Sequence, residues 1–442
     1  MNSILTVFTS YTNQVPSPPT GVSGVAGDSQ AIVSWTAPTY NGGVPITSYT
    51  VTSSPGSFTA SSATSPATVT GLTNGTAYTF TVVATNSVGN SVASSASSSV
   101  TPTATWANSG VATTFAGTTS GNQAGTGTNA RITGPKGQVI ASDGNIYVVN
   151  AVLYKITLAG VVSLLTSTTA GRLNGTGTNA SINASTGGVC ADNSGNIYIA
   201  DTGNNLIRKM NISTLLLSTI AGGGVAGNTA GNTDSTGTNA LFSSPTDICI
   251  DKTNNILYIC DMTNHRIRKL DLATNVVTTI AGNGTGRADG TGTNATFALP
   301  RGIEYDGNGI LYVCDSNNHK IRKIVVSTVV VTTFAGGGSA GNASGSANGT
   351  GTNATFLGPR SAKVAPDGNI YICDTFNNTV RKATTSGVVT TLVGGGATGT
   401  ASGTADGTGT NALFSQTHGL SFDSSGGMYV SDSVNNRIRK IT

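Results

Sequence analysis

Five aspartates and five arginines recur at one spacing in this chain, and they are its most regular candidates for chemistry. Each aspartate ends a β-prone run and lies seven residues before an arginine. The pairs are Asp201 and Arg208, Asp261 and Arg268, Asp315 and Arg322, Asp374 and Arg381, and Asp432 and Arg439. With a four-residue turn between two strands, the two side chains lie diagonally on one sheet face, within reach of each other.

A sixth copy of the same segment, "YVVNAVLYKI", lacks both members of the pair. It carries Asn150 and Tyr154 at the two positions. Loss of both residues together is what a buried pair predicts, because a lone buried charge is costly. We therefore interpret the ten residues as structural ion pairs, partly buried, in preference to a metal site.

A repeated glycine-rich hexapeptide divides the chain into the repeats whose strands must position these pairs. "GTGTNA" begins at Gly125, Gly175, Gly290, Gly349 and Gly407, and "STGTNA" begins at Ser235, so the copies lie about 50 to 60 residues apart. Between copies the sequence alternates β-prone runs with Gly/Asn turns, and it predicts four antiparallel strands per repeat. Repeats of this length and strand content indicate the blades of a propeller.

The hexapeptide itself is expected to be the connection between blades. Its glycines permit turns, and its Asn is expected to cap a short helical turn. The apolar residue three positions after that Asn is expected to plug between blades; these residues are Ile132, Ile182, Phe242, Phe297, Phe356 and Phe414. A phosphate-binding loop would need a preceding strand, a following helix and usually a lysine, and the sequence offers none of these.

The chain ends at "RIRKIT", after a third strand and before any fourth strand of the last blade. The missing strand is predicted upstream of the first hexapeptide, in "SGVATTFAG", which matches "VVVTTFAG" of a later repeat. Residues 110–116 would then complete the sixth blade and close the ring, which removes free sheet edges. This reasoning gives a six-bladed β-propeller over residues 104–442.

The strings "NNLIRK", "NHRIRK", "NHKIRK", "NNTVRK" and "NNRIRK", each after "Y-x-x-D", resemble the NHL repeat. The resemblance covers 104–442, and only the first blade departs from it. It implies a six-bladed platform that binds protein or RNA, since most NHL propellers do so. A few relatives of this family are lyases or hydrolases with a metal in the central channel.

Residues 16–102 differ from the rest and predict a separate immunoglobulin-like β-sandwich of seven strands. Trp35 is expected in its core, and "LTNGTAY" resembles a tyrosine corner in which Tyr78 bonds back to the upstream backbone. Together with "VSWTAP" and the Pro-rich entry, these features resemble a fibronectin type III domain. That resemblance implies a spacer or docking module without chemistry.

Residues 1–15 are predicted to form an extended N-terminal arm. An apolar arm can add a strand to a sheet edge of a partner or of a neighbouring copy, or it can fold back on its own sandwich. Its candidate docking residues are Ile4, Leu5, Val7 and Phe8.

Candidates for catalysis are few, because the chain has only three histidines. His265 and His319 occupy one turn position in adjacent repeats and are expected on one rim, whereas His418 could approach the channel mouth. Asp247, Glu304 and Lys363 lie on the predicted inner strands, but with His418 they do not repeat in register as a ligand set. We therefore predict no catalytic residue, no cofactor and no metal site, and a protein that is not an enzyme.

Composition narrows the classes of function that the sequence allows. Only 9% of residues are charged and the net charge is +4, which is too dilute to imply nucleic acid by itself. No run reaches the length of a membrane-spanning helix, and the N-terminus is not a convincing signal peptide. The five cysteines are expected to be free, buried and apolar in role, and they fix no compartment.

The sequence thus favours a non-enzymatic structural or interaction protein, in which a propeller binding platform follows a fibronectin-like spacer. Its Gly/Ser/Thr/Asn-rich composition favours a surface, secreted or particle (virion-like) component with protein partners or neighbouring copies, while a cytoplasmic location stays open. One alternative is an RNA-binding propeller, for which the basic residues are Lys209, Lys269, Lys323, Lys382 and Lys440. The other alternative is a lyase or hydrolase with a channel metal.

Overall fold

The computed structural model describes residues 12–102 and 109–442, and it divides the chain into two compact units that meet in sequence near residue 106. Both units are built from β-strands, with only single turns of 3-10 helix between them. The predicted docking residues Ile4, Leu5, Val7 and Phe8 lie outside the described residues.

The first unit is a sandwich of two three-stranded antiparallel sheets. One sheet has the order β1-β2-β5 and the other the order β4-β3-β6, with the strands β1 Thr20–Gly27, β2 Gln30–Thr36, β3 Ile46–Ser54, β4 Thr59–Ser62, β5 Ala67–Thr70 and β6 Thr79–Asn86. Alternate residues of β2 and β6 are buried, as expected for strands with one face on a core. Trp35 packs against Tyr49 in that core, with ring centroids 5.1 Å apart.

Tyr78 occupies the tyrosine-corner position, where its buried hydroxyl accepts a hydrogen bond of 3.0 Å from the backbone N–H of Thr73. The seventh strand that the sequence predicted is not a regular strand. In its place, Ser91, Ser94 and Ser97 each donate a backbone N–H to a carbonyl of β6, and each hydroxyl accepts a β6 amide. Because these serines recur every third residue, the segment contacts β6 with a period of three instead of the two of a strand.

The second unit contains six five-stranded antiparallel sheets, each of which is one blade. From the innermost strand outward, blade 1 is β9 Gln138–Ile140, β10 Ile146–Val149, β11 Leu153–Ile156, β12 Val161–Leu164 and β8 Gly125–Thr126. Blade 2 is β14 Val189–Ala191, β15 Asn196–Asp201, β16 Leu206–Asn211, β17 Leu216–Gly222 and β13 Gly175–Thr176. Blade 3 is β19 Pro245–Asp251, β20 Ile256–Asp261, β21 Arg266–Asp271, β22 Val276–Ala281 and β18 Ser235–Thr236.

The other three blades have the same order. Blade 4 is β24 Pro300–Tyr305, β25 Ile310–Asp315, β26 Lys320–Val325, β27 Val330–Gly336 and β23 Gly290–Thr291. Blade 5 is β29 Ser361–Val364, β30 Ile370–Asp374, β31 Thr379–Ala383, β32 Val388–Gly394 and β28 Gly349–Thr350. Blade 6 is β34 Thr417–Phe422, β35 Met428–Asp432, β36 Arg437–Ile441, β7 Val111–Ala116 and β33 Gly407–Thr408.

Blade 6 is made from both ends of the propeller sequence. Strand β7 pairs antiparallel with β36, with Thr114 opposite Arg439 and Ala112 opposite Ile441. Val111 and the terminal Thr442 also exchange backbone hydrogen bonds of 3.0 and 3.1 Å. The last blade therefore cannot form without residues that precede the first hexapeptide, and the ring is held closed by main-chain pairing.

The hexapeptide is more than a connection, which corrects the prediction of four strands per blade. Its first two residues form a fifth, outermost strand, and its next three form a turn of 3-10 helix, as in Gly292–Asn294. The Asn is the last residue of that turn and does not cap it, because the N-cap position is held by Thr291 without a side-chain hydrogen bond. The apolar residue that follows is fully buried in every repeat, at Ile132, Ile182, Phe242, Phe297, Phe356 and Phe414.

Candidate functional site

The five Asp–Arg pairs lie inside the blades, where both side chains of every pair are fully buried. Their N–O distances are 2.8 Å in blade 2, 2.6 Å in blade 3, 2.9 Å in blades 4 and 5 and 3.1 Å in blade 6. Each aspartate ends the second strand of its blade and each arginine lies on the third, diagonally across one ladder as the spacing predicted. Burial is complete instead of partial, since neighbouring blades cover both faces.

Each arginine has a second polar partner that the sequence reasoning missed, namely the residue directly before the hexapeptide. In blade 4, Arg322 contacts Asp289 at 2.7 Å and two backbone carbonyls in addition to Asp315. The equivalent partners are Asn174 in blade 2, Asp234 in blade 3, Asn348 in blade 5 and Asp406 in blade 6. The arginine therefore ties the outermost strand of a blade to its middle.

Blade 1 replaces this arrangement with a different one. Asn150 stands for the aspartate and Tyr154 for the arginine, and Ala124 precedes the hexapeptide. The Tyr154 hydroxyl donates to Asn122 at 2.5 Å, while Asn150 donates to the carbonyl of Thr133 at 2.7 Å. All three members of the charged cluster are thus absent together, and neutral hydrogen bonds take their place.

His265 and His319 connect neighbouring blades. Both adopt a left-handed conformation, with φ of +54°, at the turn between the second and third strands. His265 Nδ1 accepts the backbone N–H of Leu299 in the next blade, and His319 Nδ1 accepts that of Gly358, both at 3.1 Å. The same position is an Asn in the other NHL-like blades, and Asn205, Asn378 and Asn436 accept a next-blade amide in the same way. These histidines are part of the scaffold of the ring.

The inner strands of the six blades surround a central channel, and three of the polar candidates meet in its middle. Lys363 Nζ contacts Glu304 Oε2 at 2.7 Å between blades 5 and 4. Burial alone would lower the pKa of Lys363, but Glu304 and Asp247 outweigh it and hold that pKa above its ordinary value. Asp247 is buried, which raises its pKa to about 6, and its carboxylate accepts the amides of Ile248 and Ile303.

One end of the channel opens into a concavity of about 530 Å³, which we call the wide mouth. It is formed where the six inner strands end, and its lining includes Ile140, Asp251, Tyr305, Val364, Pro366 and Phe422. Two aromatic side chains of this lining pack against a second aromatic ring. The ring centroids of Tyr305 and Tyr258 are 5.9 Å apart, and those of Phe422 and Tyr371 are 5.4 Å apart. A half-exposed apolar lining with a few charged groups is typical of ligand and partner sites.

His418 lies at the opposite, narrow end of the channel, where its Nε2 contacts a guanidinium nitrogen of Arg360 at 2.7 Å.

Within residues 12–102 and 109–442, no three His, Cys, Asp or Glu side chains are grouped as metal ligands. All five cysteines are free and buried. The same parts of the chain hold no helix of the length and apolarity that crossing a membrane requires.

Three of the five lysines named for RNA contact, Lys209, Lys382 and Lys440, are engaged within their own blades. Lys382 lies over the ring of Tyr371 and within 3.5 Å of Asp367, and Lys440 lies over Tyr429 and 3.7 Å from Asp423. Lys209 lies over the ring of Tyr198. A part of the positive charge of this band is therefore offset by carboxylates beside it.

Comparison with known proteins agrees with this architecture. The family model for the fibronectin type III domain matches residues 17–101, and that for the NHL repeat matches residues 187–210, 242–270 and 297–324. The chain therefore consists of a fibronectin type III domain followed by an NHL-repeat β-propeller, as both resemblances in the sequence predicted.

Among solved structures, a structural genomics protein of unknown function from Bacteroides thetaiotaomicron is similar, with a TM-score of 0.60, 17% identity and coverage of 97% of this chain and 100% of that one. An auxiliary nutrient binding protein from the same organism has a TM-score of 0.57 at 17% identity, covering 98% and 99% of the two chains. At this identity the likeness shows the fold alone.

Among curated proteins, SUPPRESSOR OF QUENCHING 1, chloroplastic, from Arabidopsis thaliana is 29% identical over 254 residues, which is 55% of this chain and 24% of that protein. NHL repeat-containing protein 2 from Bos taurus is 31% identical over 144 residues, 31% of this chain and 20% of that protein. The chain thus matches about a quarter or less of the length of these relatives.

Proposed function

We propose that this protein is a non-enzymatic interaction protein whose propeller binds a protein partner at the wide mouth and whose fibronectin type III domain serves as a spacer. The wide mouth is the observation that carries the proposal. It is the larger of the two channel openings, it exposes parts of Tyr305, Phe422 and Val364, and all six blades contribute to it. Partly exposed apolar groups in a rimmed concavity mark interaction sites.

The scaffold around this mouth favours binding over chemistry. The strongest charged groups of the blades are tied to one another in the Asp–Arg clusters, and the mid-channel charges are paired as Lys363 with Glu304. A catalytic channel metal would need several ligands that converge from the inner strands, and the described residues offer no such set. The composition that favours a surface, secreted or particle component stays part of this proposal.

Photo-crosslinking tests the wide mouth. A photoreactive amino acid placed at Phe422 should capture a protein partner in the native source or assembly, whereas one placed at Leu216, on the outer strand of blade 2 and 52% exposed, should not. Substitution of Tyr305 by Ser should abolish the crosslink from Phe422. Crosslinks that are equal at both sites and unaffected by Tyr305→Ser would contradict the proposal, as would turnover of a bound small molecule.

The N-terminal arm stays a separate proposal, namely attachment to a partner sheet or to a neighbouring copy through Ile4, Leu5, Val7 and Phe8. Removal of residues 1–13 is expected to leave the melting temperature of the monomer unchanged and to abolish assembly, as read by light scattering. Normal assembly of the truncated chain, or a loss of monomer stability, would contradict it.

A further inference from the structure

One residue from each blade lies at the narrow end of the channel, and four of these six residues are basic. The second strand of every blade carries a tyrosine, and this tyrosine pairs with one residue of the inner strand. The blades can therefore be aligned on that inner-strand residue. The residue three positions before it is, in blades 1 to 6, Lys136, Gly187, Thr246, Arg301, Arg360 and His418. All six line the narrow end or directly precede a residue that does.

The four basic residues are contiguous around the ring. Arg301 belongs to blade 4, Arg360 to blade 5 and His418 to blade 6, and Lys136 belongs to blade 1, which the closed ring places beside blade 6. We call this set the cationic arc. At this register position the two remaining blades contribute the small residues Gly187 and Thr246, and the buried Asp247 that follows Thr246 also lines this end of the channel.

No carboxylate of the described residues forms a salt bridge with the arc, and Asp247, which lines the same end of the channel, accepts backbone amides instead. Within the described parts of the chain, none of Lys136, Arg301 and Arg360 forms a salt bridge; Lys136 donates to the hydroxyl of Ser433 at 2.7 Å, and Arg360 contacts His418 and lies over the ring of Phe376. The guanidinium of Arg301 has no hydrogen-bond partner there, and Nε of Arg360 is buried without one, as Nε of each cluster arginine also is. The arc differs from the Asp–Arg clusters, in which each buried arginine has at least one carboxylate.

The electrostatic consequence is mutual repulsion in a partly buried site. Burial, reinforced by the charges of Arg360 and Arg301, lowers the pKa of Lys136 to about 8. Burial together with Arg301 lowers the pKa of Arg360 to about 10, and burial with the three cations holds the pKa of His418 well below its usual range. Uncompensated positive charge of this kind is costly unless an anion joins it.

We propose that the cationic arc binds an oxyanion group, a phosphate or a carboxylate, at the narrow end of the channel. Arginine guanidinium groups match both groups with paired N–H donors, and the lysine adds a compact point charge. The space between the lining residues is only about 20 Å³, which is close to the room that one water molecule needs, so the anionic group is held at the opening of the narrow end and the rest of its ligand stays outside. This site lies at the opposite end of the inner strands from the wide mouth, and it does not depend on the partner proposed there.

The proposal has a defined pH dependence. The charged and titratable groups at the site are Lys136, Arg301, Arg360 and His418, together with Asp247 and Lys363 of its lining, and Glu304 pairs with Lys363 one layer further into the channel. A bound anion stabilises protonated Lys136 and so raises its pKa, which means that binding is coupled to proton uptake. Affinity should therefore fall as the pH rises through about 8, the pKa of free Lys136.

Calorimetric titration of the full-length protein tests the site, with inorganic phosphate and malonate as the two probes and sodium chloride at equal ionic strength as the background. Saturable binding of one anion per chain is expected for at least one probe, and the probe that binds identifies the group. Arg301→Gln should weaken binding at least tenfold, with partial retention in Arg301→Lys. Arg287→Gln is the matched control, because it removes the same charge from an exposed site outside the channel.

Folding does not confound this comparison, because Arg301 has no partner to lose. Arg301→Gln should leave the melting temperature without anion unchanged or slightly raised, and it should remove the rise that the anion causes in the wild type. Absence of saturable binding with both probes would overturn the proposal. Equal loss of affinity in Arg301→Gln and Arg287→Gln would also overturn it, because the effect would then be one of net charge.

Discussion

Two of the buried aspartates are equally buried, but their replacement by alanine should lower the stability of the protein by different amounts. Asp374 and Asp315 are both fully buried and pair with fully buried arginines at 2.9 Å. Each also accepts one backbone amide, at 2.7 Å in both blades, and one Asn side chain. The clusters differ at the second partner of the arginine, which is the neutral Asn348 in blade 5 and the charged Asp289 in blade 4.

Substitution by alanine should reveal this difference. Asp374→Ala leaves Arg381 buried with neutral acceptors alone, and breaking a buried pair costs about 3–5 kcal/mol. Asp315→Ala leaves Arg322 in contact with Asp289 at 2.7 Å. A hydrogen bond to a charged group contributes about 1.5–3 kcal/mol, and the 49% exposure of Asp289 reduces that by screening. Asp374→Ala should therefore cost about 1–2 kcal/mol more than Asp315→Ala.

The assay is equilibrium urea unfolding followed by circular dichroism, with the stability differences read from the midpoints at constant m. The second variant pair supplies a rescue: Asn348→Asp copies the blade 4 arrangement into blade 5 and should restore about 1–2 kcal/mol when it is combined with Asp374→Ala. Equal losses for the two alanine variants would refute the reasoning. Failure of the rescue, with unchanged m values, would refute it as well.

Two further predictions concern the ring. His319→Ala should lower stability by about 1–2 kcal/mol, because it removes the acceptor of the Gly358 amide and leaves a left-handed alanine. His319→Asn should be nearly neutral, since Asn serves this position in other blades, and a melting temperature equal to that of the alanine variant would contradict the role. Replacement of 111–116 by Gly and Ser residues of equal number should lower the melting temperature of the propeller, because β36 keeps β35 but loses the apolar, β-prone strand on its outer side. An unchanged propeller transition would show that the ring does not depend on this closure.

Much of the scaffold could be predicted from the sequence because the residues that build each blade recur at the same spacing. The seven-residue spacing of Asp315 and Arg322 indicated a diagonal pair, and the match of residues 110–116 to a later repeat indicated the last strand. The second arginine partner was missed since it lies 33 or 34 residues away, although an Asp or Asn before five of the six hexapeptides was a visible signal. The fifth strand was missed because two residues carry no periodicity.

The cationic arc was missed for a different reason. Its residues differ in type, and each precedes a small residue at a strand start, so no motif marks them. Alignment of the blades on their shared tyrosine would have brought Lys136, Arg301, Arg360 and His418 into one register. Of these four, only His418 was singled out, and its neighbours in space could be known only once the ladder register was fixed.

The repeats therefore separate two kinds of position in this molecule. Positions that build the ring repeat their residue type, and where blade 1 loses the charged pair it loses both members together, because a buried charge without its partner is costly. Positions that face the channel change one blade at a time, as in the layer that contains Cys249, Glu304, Lys363 and Ser421. Within this layer Lys363 and Glu304 pair with each other between neighbouring blades, and neither side chain belongs to the repeated clusters that build the ring. The chemistry of a repeat protein of this kind is thus to be sought where its repeats differ, and two layers of the channel are positions of that kind.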